Sequence, residues 1–98
     1  MSASLMQCSV EISLYPIRDR YLGPIEAFIE ALEAAADRGA DLTVTVNAMS
    51  TQVFGDYDAV MTAVTGAIKD TLADAPGAFV LKVLGIDARA PHPRSARD

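Results

Sequence analysis

The amino-terminal part of the chain alternates apolar and polar residues with a period of two. Between residues 7 and 15 the apolar positions are Cys8, Val10, Ile12 and Leu14. This alternation is typical of a β-strand with one buried face, because successive side chains of a strand point to opposite sides. Pro16, which lacks a backbone N–H, is expected to end the strand. A second alternating run, residues 41–47, predicts a second half-buried strand.

Two other stretches have the 3.6-residue spacing of amphipathic helices. The apolar positions are Leu22, Ile25, Phe28, Ile29, Leu32 and Ala36 in the first, and Val60, Ala63, Val64, Ala67, Ile68 and Leu72 in the second. Pro24 suits the first turn of the first helix, and Gly39 suits its C-terminal end. Asp56 and Asp58 suit the start of the second helix, where a carboxylate accepts free backbone N–H groups.

Two short apolar runs complete the pattern. Residues 49–54 follow the second strand closely and predict a hairpin with it, and Gly55 and Asp56 are expected to break that strand. Residues 78–84 are apolar except for Lys82, which is typical of a central or interface strand. With right-handed crossovers, this order of elements predicts an α+β, ferredoxin-like βαββαβ fold. Such a fold is a four-stranded antiparallel sheet with two helices on one face.

Length and composition fit one small domain. The 98 residues are 51% hydrophobic and 21% charged, which argues against intrinsic disorder and for a buried core. We assign residues 1–88 to a single domain. Residues 89–98 hold two prolines and lack any period, so they are expected to form a disordered C-terminal tail.

Charge and cysteine usage narrow the function classes. The net charge is −5; residues 1–88 carry five bases and twelve acids, whereas residues 89–98 carry three Arg and one Asp. Such an acidic body repels phosphate backbones, so we expect no nucleic-acid partner and favour a neutral or cationic ligand. The single Cys8 cannot form an internal disulfide, which fits a reducing compartment. No membrane association is expected, because no apolar run approaches the roughly 18–20 residues of a span. We therefore expect a cytoplasmic protein.

The face of the sheet away from the helices should decide the function, because two helices cover only one side. The expected residues there are Ser9, Glu11, Ser13 and Tyr15 from the first strand, Thr43, Thr45 and Asn47 from the second, and alternate members of residues 50–54. Small hydroxyls surround one carboxylate in mid-strand. A hydrogen-bonding site and a polar subunit interface would both explain this composition.

Several short motifs resemble a known family. They are Ser-Leu-Tyr-Pro at 13–16, Met-Ser-Thr at 49–51, Gly-Asp at 55–56 and Lys-Val-Leu-Gly-Ile-Asp ending at Asp87. In this order they resemble the YkoF-like and related thiamine-binding domains over roughly residues 8–87. The resemblance implies a non-catalytic domain that binds thiamine or its hydroxymethylpyrimidine half, sometimes as a tandem pair. Because this chain has one copy, it also suggests a homo-oligomer, a dimer or a tetramer.

The chemistry of such a ligand matches the predicted face. An aminopyrimidine presents a donor beside an acceptor, which Glu11 could engage if the neighbouring hydroxyls orient it. The permanently cationic thiazolium could stack on an aromatic ring. The candidate ligand-binding residues are Ser9, Glu11, Ser13, Tyr15, Ser50, Thr51 and Phe54. An alternative for Glu11 is pairing with a base across a subunit interface, and for Ser50 and Thr51 a purely structural role at the start of a strand.

Other kinds of site are disfavoured. Cys8 alternates with apolar residues, which favours a core side chain over a nucleophile. The only histidine, His92, lies between two prolines of the tail, and no Cys or His cluster predicts a metal site. The Gly-rich phosphate-loop patterns are absent from the sequence. We therefore expect no catalytic residues, no metal and no catalytic cofactor.

Two alternatives use the same fold. One is a regulatory or structural oligomerisation module that takes no small ligand. The other is an acylphosphatase-like hydrolase using Arg18 or Arg20 with Asn47, but the intervening loop has no glycine and contains Asp19, so it makes a poor phosphate cradle. An RNA-recognition module is disfavoured because the central strands lack stacking aromatics.

Overall fold

The chain folds into one sheet with two helices packed on one of its faces. The computed structural model describes residues 6–16, 22–47, 50–74 and 76–89. The elements are β1 (Gln7–Pro16), α1 (Leu22–Asp37), β2 (Leu42–Val46), β3 (Thr51–Asp56), α2 (Tyr57–Asp74) and β4 (Gly77–Leu84). All neighbouring strands are antiparallel, in the order β2-β3-β1-β4. This confirms the predicted ferredoxin-like α+β fold, including the β2–β3 hairpin.

The core lies between the sheet and the helices. It consists of Cys8, Val10 and Ile12 of β1, Leu42 of β2, Val53 of β3, Phe28 and Leu32 of α1, and Val60, Val64 and Ala67 of α2. Fully burying a Val, Leu, Ile or Phe side chain contributes about 1.5–3 kcal/mol relative to leaving it exposed. Because residues of both helices belong to this core, both helices pack on the same face of the sheet, and no helix of the described residues covers the opposite face.

Gly39 follows the C-terminal end of α1, as the sequence predicted. Gly39 adopts a φ of 96°, a region that side chains disfavour and glycine tolerates. Its N–H donates to the Ala36 carbonyl at 3.0 Å, and the Ala40 N–H donates to the Ala35 carbonyl at 3.1 Å. These bonds satisfy carbonyl groups that the helix end would otherwise leave free.

The junction of β3 and α2 differs from the expectation that Gly55 and Asp56 break the strand. Both residues belong to β3, and Gly55 pairs with Cys8 on one side and Leu42 on the other. Gly55 has a φ of 150° and lets β2 come close, because a Cβ there would lie 2.8 Å from the Leu42 Cα. Asp56 ends the strand and caps α2, since its Oδ2 accepts the Ala59 N–H at 3.1 Å.

Cys8 is a core side chain, as the alternation predicted. It is completely buried beneath the helices. Burial, and secondarily the charge of Asp56, raises the pKa of the Cys8 thiol. A raised pKa lowers the thiolate population and hence the nucleophilicity of the sulfur.

β4 lies at an edge of the sheet, not at its centre. It pairs with β1 along its whole length, and no other strand of the described chain pairs with it. Phe79 and Leu81 turn toward the helices, and the Phe79 ring lies 4.9 Å from that of Phe28. Val80 and Leu84 face the other way and are about half exposed. The sequence predicted either a central strand or a strand at a subunit interface. The structure excludes the central position, and the subunit interface stays a prediction.

Candidate functional site

The candidate site lies on the sheet face opposite the helices, here called the open face. Because Cys8, Val10 and Ile12 point into the core, the residues that alternate with them point to the open face. Strand register extends this face to Gln52 and Phe54 of β3 and to Val80, Lys82 and Leu84 of β4. Thr43 and Thr45 of β2 complete it.

Glu11 lies near the middle of the open face, on the central strand β1. The register places it between Gln52 of β3 and Lys82 of β4. The Ser50 hydroxyl donates to Glu11 Oε2 at 3.0 Å, and Lys82 Nζ lies 3.5 Å from Oε1. Each oxygen of the carboxylate therefore has a partner from a different strand or turn.

The partners of Glu11 keep its side chain ionised. The hydrogen bond from Ser50 contributes most to lowering the pKa of Glu11, followed by the charge of Lys82, with a smaller effect of Gln52. The Glu11 side chain is 38% exposed and Lys82 is 79% exposed. A partly exposed carboxylate with its orientation set can still accept hydrogen bonds from a ligand.

A cleft of about 250 Å³ surrounds this carboxylate. Its lining residues are Ser9, Val10, Glu11, Gln52, Phe54, Lys82, Leu84 and Ala88. Pockets for drug-sized ligands span roughly 300–1,000 Å³, so the cleft suits a single heterocyclic ring better than a larger ligand. Glu11, Gln52 and Lys82 supply a carboxylate, a carboxamide and an ammonium group to this ring-sized space.

Ala88 lines the cleft and belongs to residues 85–89, here called the post-β4 segment, whose position sequence reasoning missed. The Ser9 hydroxyl donates to the Ile86 carbonyl at 2.8 Å and accepts the Ala88 N–H at 2.7 Å. Ser9 is consequently buried although it lies on the open face. The sequence of the segment has no hydrophobic periodicity from which its position on the open face could have been predicted.

The post-β4 segment also covers the ring of Phe54. The Arg89 guanidinium carbon lies 4.6 Å from the centroid of the ring, within cation–π range. Asp87 holds the guanidinium with two contacts, from Nε to Oδ1 at 3.0 Å and from the terminal nitrogen to Oδ2 at 2.9 Å. This pairing lowers the pKa of Asp87 and raises the pKa of Arg89. Arg89 was expected in the disordered tail; residues 90–98 lie outside the described residues.

A second, smaller cavity of about 140 Å³ lies where the ends of β1 and β2 meet α1. Its apolar lining is Ile12, Leu14, Ile25, Phe28, Ile29 and Val46, and its polar lining is Ser13, Asn47, Ser50 and Thr51. Thr51 pairs with Ile12 and therefore points to the helix side of the sheet, where it is buried. Ser50 both lines this cavity and donates to Glu11 of the open-face cleft.

The structure thus divides the predicted ligand-binding residues into three places. Glu11, Ser9 and Phe54 line the cleft, with Ser50 bonded to Glu11, whereas Ser13, Thr51 and again Ser50 line the smaller cavity. Tyr15 lies at the other end of β1 and is 58% exposed.

Gln52 and Lys82 were missing from the predicted site. The sequence signal for Lys82 was present, because Lys82 is the one charged residue of β4. Gln52 directly precedes the buried Val53 in β3, so its side chain points to the open face.

Across the described ranges, no three His, Cys, Asp or Glu side chains lie close enough together to hold a metal ion. Of the acylphosphatase-like candidates, Arg18 and Arg20 lie outside the described residues, and Asn47 lines the smaller cavity. Neither of the two described helices has the length and apolarity that crossing a membrane requires.

The same fold occurs in solved structures of low sequence identity. A hypothetical protein of Methanocaldococcus jannascii is 22% identical, with a TM-score of 0.69 over 92% of this chain and 91% of that one. A Thermotoga maritima protein provisionally named as a thiamine biosynthesis/salvage protein is 15% identical, with a TM-score of 0.59 over 92% of this chain and 94% of that one. A domain of unknown function, DUF77, from Bacillus cereus is 13% identical, with a TM-score of 0.60 over 96% and 90%.

Sequence comparison adds no closer relative. No protein-family model matches the chain, and no curated protein matches it. At these identities, the structural likeness establishes that the chain shares the ferredoxin-like fold of these proteins.

Proposed function

We propose that the open-face cleft binds thiamine or its hydroxymethylpyrimidine half without converting it chemically. The observation that carries the proposal is the Glu11 carboxylate, which is ionised, partly exposed and held by Ser50 and Lys82 beside a ring-sized space. A carboxylate fixed in this way accepts hydrogen bonds from the exocyclic amino group of an aminopyrimidine. Gln52, beside it in the register, can donate to the adjacent ring nitrogen.

The charge of the protein supports a cationic ligand. The net charge of −5 raises the local concentration of a cation such as the thiazolium ring of thiamine. The volume of the cleft suits the pyrimidine, so the second ring would extend toward the rim. Among the described residues, Phe54, under Arg89, and the more distant exposed Tyr15 are the aromatic rings on this face.

Two comparisons point to the same class of ligand. The Ser-Leu-Tyr-Pro, Met-Ser-Thr and Gly-Asp motifs resemble those of YkoF-like thiamine-binding domains. The Thermotoga maritima neighbour, which has the same fold, carries a name that refers to thiamine biosynthesis or salvage.

We also propose that the domain works as a homo-oligomer, a dimer or a tetramer. Val80, Leu84 and Ile86 lie at the β4 side of the molecule and are each about half exposed. Clustered apolar side chains on a protein surface favour association with a partner. A second copy would cover them and enclose the cleft further.

Titration calorimetry with thiamine and with free hydroxymethylpyrimidine tests the binding proposal. We expect both to bind the wild type, and Glu11→Gln to weaken binding about tenfold or more, because a polar group of the ligand loses its charged partner. Glu33→Gln is the matched control, since Glu33 is an exposed carboxylate on α1. Absence of binding to either compound, or equal affinity of the Glu11→Gln protein, would refute this assignment of the site.

A structural or regulatory oligomerisation module is the second candidate. The exposed apolar side chains near β4 favour it, because they need a protein partner and not a small ligand. This function predicts that Glu11→Lys dissociates an oligomer, because it places a second cation beside Lys82. It also predicts that calorimetry detects no binding of thiamine.

A further inference from the structure

We infer that the post-β4 segment is a displaceable latch, in which Arg89 occupies the Phe54 face that a cationic ligand would use. The identity of the ligand rests on the proposed function. The latch itself rests on the contacts of residues 85–89 with the open face.

The closed position is defined by contacts on two neighbouring strands. Ser9 of β1 binds the segment through the Ile86 carbonyl and the Ala88 N–H. On β3, Phe54 is only 7% exposed, and the Arg89 guanidinium lies over its ring. Elsewhere on the same face, Thr45 and Lys82 are exposed, and Glu11 and Gln52 are partly exposed. Residues 85–89 therefore close one part of the open face selectively.

The same contacts indicate that the segment can open without unfolding the domain. It is held to the sheet by two hydrogen bonds of Ser9 and by one cation–π contact. No residue of the segment belongs to the buried core, and Ile86, Ala88 and Arg89 are all exposed. Segments with few buried apolar contacts open locally at a small fraction of the free energy of global unfolding.

Arg89 is an internal competitor for a cationic ligand. A guanidinium and a thiazolium both bind an aromatic ring through its negative face, so the two cannot occupy the same side of Phe54 together. Asp87 orients the guanidinium with two contacts and so favours the closed position. A cation that stacks on Phe54 must displace Arg89, and displacement also strains the bonds to Ser9.

The test compares Arg89→Ala with wild type by calorimetry and by NMR of the full chain. Thiamine should bind Arg89→Ala about two- to fivefold more tightly, which corresponds to the loss of one competing cation–π contact. Lys69→Ala is the matched control, because it removes an equal charge from an exposed position on α2. Its affinity for thiamine should equal that of the wild type. Equal affinities of Arg89→Ala and Lys69→Ala would overturn the inference.

Two measurements keep the latch separate from the identity of the ligand. Hydrogen exchange at the Ala88 amide should be slowed in the wild type and accelerated in Ser9→Ala, which lacks the acceptor. Tetramethylammonium, a cation without a pyrimidine, should shift the Phe54 ring signals of Arg89→Ala more than those of the wild type.

The outcomes of these measurements are distinguishable. If thiamine binds no variant while the exchange and tetramethylammonium results hold, the proposed function fails and the latch stands. An unprotected Ala88 amide in the wild type, or equal responses of the two proteins to tetramethylammonium, would overturn the latch whatever the ligand is.

Discussion

At the scale of single residues, the arrangement around Glu11 makes its titration informative. The lowered pKa of Glu11 means that the folded protein favours the ionised carboxylate more than the unfolded chain does. Its contribution to stability is therefore fully present above the pKa of the unfolded chain, and it is lost as pH falls through the pKa of the folded protein. Ligand binding that depends on the carboxylate should disappear over the same acidic range.

Ser50→Ala should raise the pKa of Glu11 toward its ordinary value, because the Ser50 hydrogen bond is the largest cause of the lowering. Lys82→Met should also raise it, because it removes both the charge and the hydrogen bond of the ammonium group. NMR titration of the Glu11 carboxyl carbon measures both shifts. Thr45→Ala removes an exposed open-face hydroxyl from β2 and should leave the titration unchanged. An unchanged pKa of Glu11 in Ser50→Ala would contradict the role assigned to the Ser50 hydrogen bond.

The sequence predicted Glu11 as the central polar residue but not the partners that hold it. Alternation with Val10 and Ile12 was enough to place Glu11 on the open face, because strand geometry is local. Lys82 is 71 positions away in the chain, and only the β1–β4 register sets it opposite Glu11. Register depends on the packing of the whole sheet and could not be obtained from either strand alone.

At the scale of elements, the direct passage from β3 into α2 depends on one glycine. The expectation that Gly55 breaks the strand was wrong. The positive φ of Gly55 does not reverse the chain; it allows the backbone of β2 to come close to β3. The Asp56 N–H donates to the Asp41 carbonyl at 3.1 Å, and the Tyr57 N–H donates to the Met6 carbonyl at 2.9 Å. The residues just before β2 and β1 thus stay bonded to the chain up to the first residue of the helix.

Gly55→Ala should lower the free energy of unfolding by about 2–4 kcal/mol or prevent folding, because strain and a backbone clash act together. The added Cβ would contact the Asp41 carbonyl oxygen and the Leu42 Cα. Gly66→Ala is the matched control: nothing lies within 4 Å of its added Cβ, so helix propensity should stabilise the protein by about 0.5–1 kcal/mol. Urea unfolding of both variants tests the difference, and similar stabilities would contradict this role of Gly55.

At the scale of the whole molecule, the sheet has one face buried by helices and one available for a ligand or a second subunit. The apolar part of the available face lies near β4, where Val80 and Leu84 are about half exposed. The polar part, toward β2, carries exposed Thr43 and Thr45. This asymmetry predicts that any subunit contact lies on the β4 side.

Light scattering of the wild type should give the mass of a dimer or a tetramer. Val80→Glu should lower that mass toward the monomer, because it places a charge within the apolar contact. Thr45→Glu introduces the same charge on the β2 side of the same face and should leave the mass unchanged. A monomeric wild type, or equal effects of the two substitutions, would contradict self-association through this region.

The sequence by itself determined the order of the six elements, the buried faces of β1, β2 and the two helices, the glycine end of α1 and the Asp56 cap of α2. These features follow from side-chain periodicity and from backbone preferences within a few residues. The tertiary structure alone decided that β4 lies at the edge, that Lys82 meets Glu11, and that residues 85–89 fold back over Ser9 and Phe54. Each of these depends on contacts between distant parts of the chain, which are selected by the packing of the complete sheet and leave no periodic pattern in the sequence.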